Sequence, residues 1–378
     1  MSFRYGSGIN KPGFNALAAQ TTTVLVTLYS WGSSYYGQLG LGNTTSYSSP
    51  KQVGSLTTWL LVAGGKYHSL ATKTDGTLWT WGRNDQGQLG DGTITNRSSP
   101  IQVGALTTWL AIAGGYTHTI AAKSDGTLWA WGFNAFGQLG DGTATNRSSP
   151  VQVGALTTWL NVACGNEFTL AIKTDGTLWA WGRSNSGQLG LGNTLDKSSP
   201  NQVGLLTTWA KARGGAYFAV AIKTEGTLWS WGYNAQGQLG LGNTTNYSSP
   251  KQVGALTAWS SLATSFDNVK TTKTDGTLWA WGGNTYGELG LGNTTSYSSP
   301  KQIGALTTWS SVGAGYYHSM ALSTNGTLWT WGWNKIYPTT TTGQLGLGTA
   351  SNYSSPKQVS AVTTWLTVAG GGYHTIAG

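Results

Sequence analysis

The sequence predicts an all-β fold, a seven-bladed β-propeller closed into a ring, because two tryptophan positions recur with a fixed period. A Trp-Gly dipeptide returns every 50 residues, beginning at Trp31, Trp81, Trp131, Trp181, Trp231, Trp281 and Trp331. A second tryptophan returns at Trp59, Trp109, Trp159, Trp209, Trp259, Trp309 and Trp365, where an insertion at residues 335–342 lengthens the last interval. A constant period over nearly the whole chain indicates one array of equal units rather than several domains.

Each unit contains four short strands joined by tight turns, as the copy around Trp81 illustrates. Residues 77–81 follow an Asp-Gly turn and alternate in polarity, which predicts a strand entered from a hairpin. Residues 68–73 supply its partner, and residues 58–63 form a third apolar run before a glycine pair. Pro50 begins a short outer strand at residues 50–53. Four strands per unit without a helical period are typical of a propeller, whereas a linear solenoid needs atypical units at its ends.

The two ends of the chain complement each other. The last copy stops at residues 373–378, before the strand that carries Trp-Gly in the other copies, and the first copy begins with that strand at residues 22–32. Pairing the N-terminal strand with the C-terminal strands completes one blade and leaves no open edge in the ring. We therefore expect an extended N-terminal arm over residues 1–21 and a propeller over residues 22–378.

Composition excludes several classes of protein. Only 9% of the residues are charged, so a long disordered tail is not expected. No apolar run approaches the roughly 18 residues of a membrane span, and no secretory signal is seen. The single cysteine cannot form an internal disulfide. The net charge of +9 arises from basic residues at repeated positions and from few acids, which argues against specific nucleic-acid binding.

Side chains capable of chemistry occupy repeated positions. His68, His118, His318 and His374 share one position of the unit, so they are spread around the ring instead of gathered on one metal ion. Acidic residues recur at the Asp-Gly turn, where Asp is favoured for backbone reasons. We expect histidines bonded to neighbouring strands, no catalytic residue, no metal and no cofactor, and therefore a protein that is not an enzyme.

Positions that differ between the copies are candidates for recognition, because the repeated positions maintain the framework. Variation is greatest in the loops after Trp-Gly, which we expect on one face of the ring. These loops are rich in aromatic residues and arginine, which are enriched at binding sites, although single exposed aromatics are also ordinary. The predicted partner-binding residues are Tyr35, Tyr36, Arg83, Phe133, Phe136, Arg183, Tyr233, Tyr286, Trp333 and Tyr337.

Two further segments depart from the repeat. Residues 264–268 replace the glycine pair and the histidine, and Lys211 and Arg213 stand where other copies carry small or apolar residues. Charges at such positions either point into the central channel of the ring or reflect divergence of one blade. Of these two interpretations we favour divergence.

The motifs resemble the regulator of chromosome condensation repeat family. Gly-Gln-Leu-Gly at residues 87–90 follows Trp-Gly, then Ser-Ser-Pro at 98–100, Gly-Gly-x-x-His at 114–118 and Asp-Gly at 125–126. Kelch repeats share the period and a glycine pair but do not account for Gly-Gln-Leu-Gly. The resemblance implies a seven-bladed propeller in a family of nuclear GTPase exchange factors, chromatin binders, and bacterial or viral proteins. The exchange factors carry a wedge-like insertion, and the only insertion here differs in character.

The close similarity of the copies and their low charge favour a viral or bacterial surface-type member of that family. We predict a non-enzymatic structural or recognition module of a virion, of tail-fibre or capsid-decoration type, or of an extracellular surface, binding a host protein or glycan through its loop face. Phe3, Tyr5, Ile9 and Phe14 of the arm are predicted to anchor it to another protein of a larger assembly. The alternative is a chromatin- or GTPase-associated regulator of the guanine-nucleotide exchange type.

Overall fold

A computed structural model describes residues 26–335 and 343–378, and its strands form seven antiparallel sheets of four strands each. The sheets are the blades of a ring, so the predicted all-β propeller is confirmed. Over the described ranges, no helix has the length and apolar character needed to cross a membrane.

Six blades use four consecutive strands, and the strands of each blade are given from the inside of the ring outward. Blades 1 to 3 consist of β3 (Trp59–Gly64), β4 (His68–Lys73), β5 (Leu78–Gly82), β6 (Arg97–Gln102); β7 (Trp109–Gly114), β8 (His118–Lys123), β9 (Leu128–Gly132), β10 (Arg147–Gln152); and β11 (Trp159–Cys164), β12 (Phe168–Lys173), β13 (Leu178–Gly182), β14 (Lys197–Gln202). Blades 4 to 6 consist of β15 (Trp209–Gly214), β16 (Phe218–Lys223), β17 (Leu228–Gly232), β18 (Tyr247–Gln252); β19 (Trp259–Thr264), β20 (Asn268–Lys273), β21 (Leu278–Gly282), β22 (Tyr297–Gln302); and β23 (Trp309–Ala314), β24 (His318–Ser323), β25 (Leu328–Gly332), β26 (Tyr353–Gln358).

Blade 7 closes the ring with strands from both ends of the chain. Its order is β27 (Val368–Gly370), β28 (His374–Ala377), β1 (Tyr29–Gly32) and β2 (Tyr47–Gln52). Strands β1 and β28 pair from Tyr29 opposite Ala377 to Gly32 opposite His374. The predicted closure by N- and C-terminal strands is therefore confirmed.

The strand boundaries differ from the expected ones in one instructive way. Strand β4 spans the expected residues, and β3 and β5 each lie one residue later than expected. The outer strand predicted at residues 50–53 is the end of β2, which pairs with β1 of blade 7 and not with the strands that follow it in sequence. Each 50-residue sequence copy thus contributes its outer strand to the preceding blade, and this offset ties neighbouring blades together covalently.

The Gly-Gln-Leu-Gly motif packs each blade against the next one. The Trp131 indole N–H donates to the backbone carbonyl of Gln88 at 3.0 Å, and Trp131 is fully buried. Gly90 has a φ of +74°, and a Cβ at this residue would lie 2.7 Å from Trp131 Nε1. A side chain at the last glycine of the motif would therefore both strain the backbone and displace the tryptophan of the next blade.

A central channel of about 740 Å³ runs between the inner strands of the blades. At one end the inner strands lead into the glycine pairs, such as Gly64 and Gly65, and this end is called the glycine end. At the other end lie the Asp-Gly turns between the second and third strands, and this end is called the turn end. The two ends present different surfaces to a partner.

Candidate functional site

Two sets of loops lie side by side at the glycine end. The first set follows Trp-Gly, and the second joins the innermost strand of each blade to the second strand. In blade 1 the backbone N–H of Arg83, from the first set, donates to the carbonyl of Tyr67, from the second set, at 2.9 Å. The same bond joins Phe133 to Thr117 in blade 2. The loops after Trp-Gly therefore share one face, as the sequence predicts.

Aromatic side chains from both sets of loops cover this end of the ring. We call them the aromatic face, which comprises Tyr35, Tyr36, Tyr67, Tyr116, Phe133, Phe136, Tyr217, Phe266, Tyr286, Tyr316, Tyr317, Trp333 and Tyr373. Most are half-buried, so each ring keeps part of its surface open to solvent.

The rings contact one another in a series that runs from Tyr36 to Tyr217, and Phe133 and Phe136 form a separate pair. Tyr36 lies edge-on to Tyr67 at a centroid distance of 5.2 Å, and Tyr67 stacks on Tyr373 at 5.6 Å. Tyr373 contacts Trp333 at 5.9 Å. Trp333 stacks on Tyr286 at 5.0 Å with an interplanar angle of 17°. This half of the series joins loops of blades 7, 1, 6 and 5.

An arginine connects the other half of the series. Tyr317 contacts Phe266 at 5.7 Å, and Phe266 contacts Tyr217 at 6.5 Å. The Arg183 guanidinium lies 5.7 Å from the ring centre of Tyr217 and 4.5 Å from that of Phe136. Contacts between a cation and an aromatic face orient both groups, so Arg183 bridges blades 4 and 2 while its own blade is blade 3.

The predicted partner-binding residues fall mainly on this face. Tyr35 is 75% exposed beside Tyr36, Phe133 lies beside Phe136, and Arg83 lies 5.0 Å from the ring centre of Tyr36. Tyr233 is 37% exposed and has no ring contact with any described residue. Tyr337 of the predicted set and Phe3, Tyr5, Ile9 and Phe14 of the predicted arm lie outside the described residues.

Tyr316, which the sequence analysis missed, occupies the centre of the face. Its hydroxyl donates to Asn166 Oδ1 at 2.7 Å, from blade 6 to blade 3 on the far side of the ring. Its ring contacts Tyr116 at 6.2 Å, Phe266 at 5.6 Å and Tyr373 at 6.1 Å. Tyr316 thus spans the glycine end of the channel. The available signal was that the two residues before the repeated histidine position also vary between copies.

Lys66 supplies a positive charge at the same point. Its ammonium donates to the Tyr116 hydroxyl and lies 3.9 Å from the Tyr116 ring centre and 5.0 Å from that of Tyr67. Burial, followed by the nearby charge of Arg83, lowers the pKa of Lys66 to about 8. No described carboxylate forms an ion pair with Lys66, whereas Arg83 pairs with Asp85 at 2.6 Å.

Blade 5 carries buried charges beneath the face, next to the segment that departs from the repeat. Lys270 is fully buried and donates to Ser265 Oγ at 2.7 Å and to Asn268 Oδ1. Burial lowers the pKa of Lys270 to about 7 and raises that of Glu288 to about 7. Lys270 therefore stands at a position where other blades bury an apolar side chain, and the polar residues around it compensate for the change.

The four histidines form hydrogen bonds between neighbouring blades. His68 Nε2 lies 3.0 Å from Thr119 Oγ1, and that hydroxyl donates to the carbonyl of Gln88. The imidazole must therefore donate from Nε2, which leaves Nδ1 without a partner. Burial lowers the pKa of each of the four histidines to about 3, so they are neutral at pH 7. Within the described ranges, no group of three or more His, Cys, Asp or Glu residues is arranged to hold a metal ion.

Residues 27–377 match the family model of the RCC1-like domain. The chain belongs to this family. Among solved structures, the RCC1-like chain resembles Prp20p of Saccharomyces cerevisiae at 22% identity and a TM-score of 0.83, and the match covers 94% of this chain and 92% of that one. That structure is described together with the binding of Prp20p to Gsp1p and histones. It also resembles human WBSCR16 at 22% identity and a TM-score of 0.83, covering 93% and 98%. Comparison with curated protein sequences gives no match.

These comparisons correct the functional prediction made from sequence. The predicted virion or extracellular-surface module is wrong, and so is the predicted localisation, because the matching structures are of the RCC1 type and include yeast RCC1 (Prp20) bound to Kap60. That prediction rested on the close similarity of the copies and on their low charge, and neither feature specifies where a propeller acts or what it binds. What the comparisons show for this chain is the RCC1-like family and its propeller fold.

Proposed function

We propose that this RCC1-like chain is a GTPase-associated regulator that docks a protein partner on its aromatic face. The series of ring contacts at the glycine end, with Arg83 lying against Tyr36 and Arg183 joining Tyr217 to Phe136, is the observation that supports this proposal. Large aromatic side chains and arginine dominate the binding energy of protein interfaces. Tyr and Trp bury much surface with little loss of conformational freedom, and the planar guanidinium of Arg stacks on aromatic rings.

The charge of the chain favours a GTPase over a histone as the partner. The chain carries a net charge of +9, and Lys66 on the aromatic face has no carboxylate partner among the described residues. Histones are strongly basic, so two positive surfaces would repel each other, whereas a partner with acidic side chains would pair with Lys66. The proposed partner is therefore a small GTPase of the Gsp1p kind.

We further propose that the chain acts by binding and carries out no bond chemistry of its own. The four histidines are buried in contacts between blades, and Asp75, Asp125 and Asp175 each accept hydrogen bonds from a threonine two residues later within the turn. These groups are engaged in maintaining the fold.

The proposal is tested by biolayer interferometry with purified Gsp1p and, separately, core histones as analytes. We expect Gsp1p to bind, and Trp333→Ala to weaken its binding by roughly 30-fold, as for a central aromatic contact. Leu156→Ala is the matched control, since Leu156 is 49% exposed on the loop that packs beside the turn end. Binding of histones alone would assign the partner to chromatin, and equal effects of the two substitutions would contradict docking on the aromatic face.

A further inference from the structure

Two side-chain contacts narrow the central channel at its glycine end. At the glycine end Tyr316 reaches across the ring to Asn166, and Lys66 bonds to Tyr116 beside it. At the turn end the lining is formed by turn residues such as Asp175 and Gly176.

One arginine projects into this channel from blade 4. Arg213 lies in the channel lining, near the end of β15, next to Gly214 at the glycine end. The equivalent residues of the other blades are Ala63, Ala113, Ala163, Ala263, Gly313 and Ala369. Strand β15 keeps the register of the other inner strands, with Arg213 opposite Val220 as Ala63 is opposite Leu70. The structure thus places this side chain in the channel, which is the interpretation that the sequence did not favour.

The guanidinium of Arg213 is poorly satisfied by the protein. Its only hydrogen bond is from Nη1 to the carbonyl of Ala212 at 2.9 Å, and no described carboxylate forms an ion pair with it. An arginine carries five N–H donors, so most of its donors point at the channel contents. Arg213 is exposed to the channel, and a guanidinium there without a carboxylate partner is a site at which an anion can pair.

A second cation strengthens the positive charge at this level. Lys211 lies on the same side of β15, and its ammonium donates to the carbonyl of Ser260 at 2.6 Å. Burial, followed by the charge of Arg213, lowers the pKa of Lys211. The two charges repel each other within the ring, and an anion beside Arg213 would relieve that repulsion.

The rest of the lining is mostly apolar and supplies no competing carboxylate nearby. Leu61, Ile112, Val162, Leu262 and Val312 line the walls. The single described carboxylate of the lining, that of Asp175, belongs to the turn end, where it accepts from the backbone and hydroxyl of Thr177. The stretch of β15 from residue 209, near the turn end, to Arg213 spans about 13 Å, so the Asp175 carboxylate lies far from Arg213 along the channel.

We propose that the central channel binds an amphipathic organic anion, whose carboxylate or phosphate head pairs with Arg213 and whose apolar body lies against the channel walls. The cavity volume of about 740 Å³ is within the range of sites for small organic molecules. A guanidinium suits such a head because two parallel N–H groups meet two anionic oxygens. Arg213 itself is not part of the aromatic face, although Lys66 and Tyr316 line both the channel and that face.

The single cysteine of the chain provides a reporter inside the channel. Cys164 lines the same cavity and is the only thiol in the sequence. Burial raises the pKa of this thiol, so its alkylation by N-ethylmaleimide is slow and is followed over hours by intact-mass spectrometry, which measures its accessibility without labelling any other thiol. Decanoate and decyl phosphate serve as anionic probes, decanol as the neutral one and decyltrimethylammonium as the cationic one. We expect both anions to protect Cys164 with saturation, decanol to do so at roughly tenfold higher concentration, and the cation to give no protection.

Substitution of the arginine separates charge from shape. Arg213→Ala restores the residue that most blades carry at this position, so the ring should fold unchanged, which its melting temperature verifies. We expect the half-protecting concentration of decanoate to rise at least tenfold in R213A, as for a lost charged hydrogen bond, and not in R83A, which removes the same charge from the aromatic face. Isothermal titration calorimetry provides a second measure of affinity. Equal protection in R213A and the native chain, equal protection by decanol, or no protection by either anion would overturn the proposal.

Discussion

Replacing Trp31 by alanine tests whether the strand from the N-terminal end holds the ring closed. Trp31 is fully buried on β1, and its indole N–H donates to the carbonyl of Gln344 at 2.9 Å. It packs with Leu328, Val359 and Trp365, which come from distant parts of the chain. Removing a buried tryptophan side chain costs about 3–5 kcal/mol, of which about 1 kcal/mol belongs to the hydrogen bond.

This loss is measurable as a change in the melting temperature. Unfolding entropy is about 2.1 cal/mol/K per residue, so for a chain of 378 residues a loss of about 4 kcal/mol lowers the melting temperature by about 5 °C. Trp281→Ala is the matched control, because Trp281 is equally buried and bonded, but in a blade made of consecutive strands. Tyr35→Ala, at an exposed residue of the same N-terminal stretch, should change the melting temperature by less than 1 °C. If W31A melted like the native chain while W281A lost about 5 °C, closure by β1 would be refuted.

Two further predictions concern the contacts between blades. The pKa of each buried histidine is about 3 in the folded protein and near 6.5 in the unfolded protein. The unfolded state therefore binds more protons below pH 6.5. The free energy of unfolding falls as the pH drops toward 3, by up to about 1.4 kcal/mol per pH unit for each histidine. The variant H68F/H118F, which introduces the residue of blades 3 and 4, should lose less of its melting temperature between pH 7 and pH 5 than the native chain, and equal losses would contradict this role. Gly90→Ala should lower the melting temperature by several degrees, because its Cβ would meet Trp131. Gly104 has a φ of +58° and open space around it, so Gly104→Ala should lower the free energy of unfolding by only about 1 kcal/mol. The reverse order of melting temperatures in differential scanning calorimetry would contradict the packing account.

The fold could be predicted from sequence because each blade repeats the same local code. A period of 50 residues, a turn at Asp75 and Gly76, and glycines at fixed positions determine the strands without any knowledge of distant contacts. The assignment of the outer strand to a blade could not be made in this way. Residues 50–53 read equally well as part of either neighbouring blade, and only the pairing of β2 with β1 decides between them.

The candidate site was predicted only in its outer part. The loops after Trp-Gly vary strongly between copies, which indicates Tyr36, Phe136 and Trp333 directly. Tyr316 stands inside a motif that was interpreted as framework, and its bond to Asn166 joins residues 150 positions apart across the ring. Such a contact depends on the diameter of the closed ring, which no local pattern encodes. Arg213 shows the same limit, since its orientation follows from the register of β15.

Hydroxyl-radical footprinting of the chain with and without Gsp1p tests most directly whether the aromatic face is the docking surface. Tyr and Trp side chains react readily with the radical, and Tyr35 and Trp333 are open enough to be labelled in the free protein. We predict that saturating Gsp1p lowers the labelling of Tyr35, Trp333 and Tyr373 several-fold and leaves Leu156 and Leu306 unchanged. Protection of Leu156 and Leu306, with unchanged labelling of the aromatic face, would contradict the account.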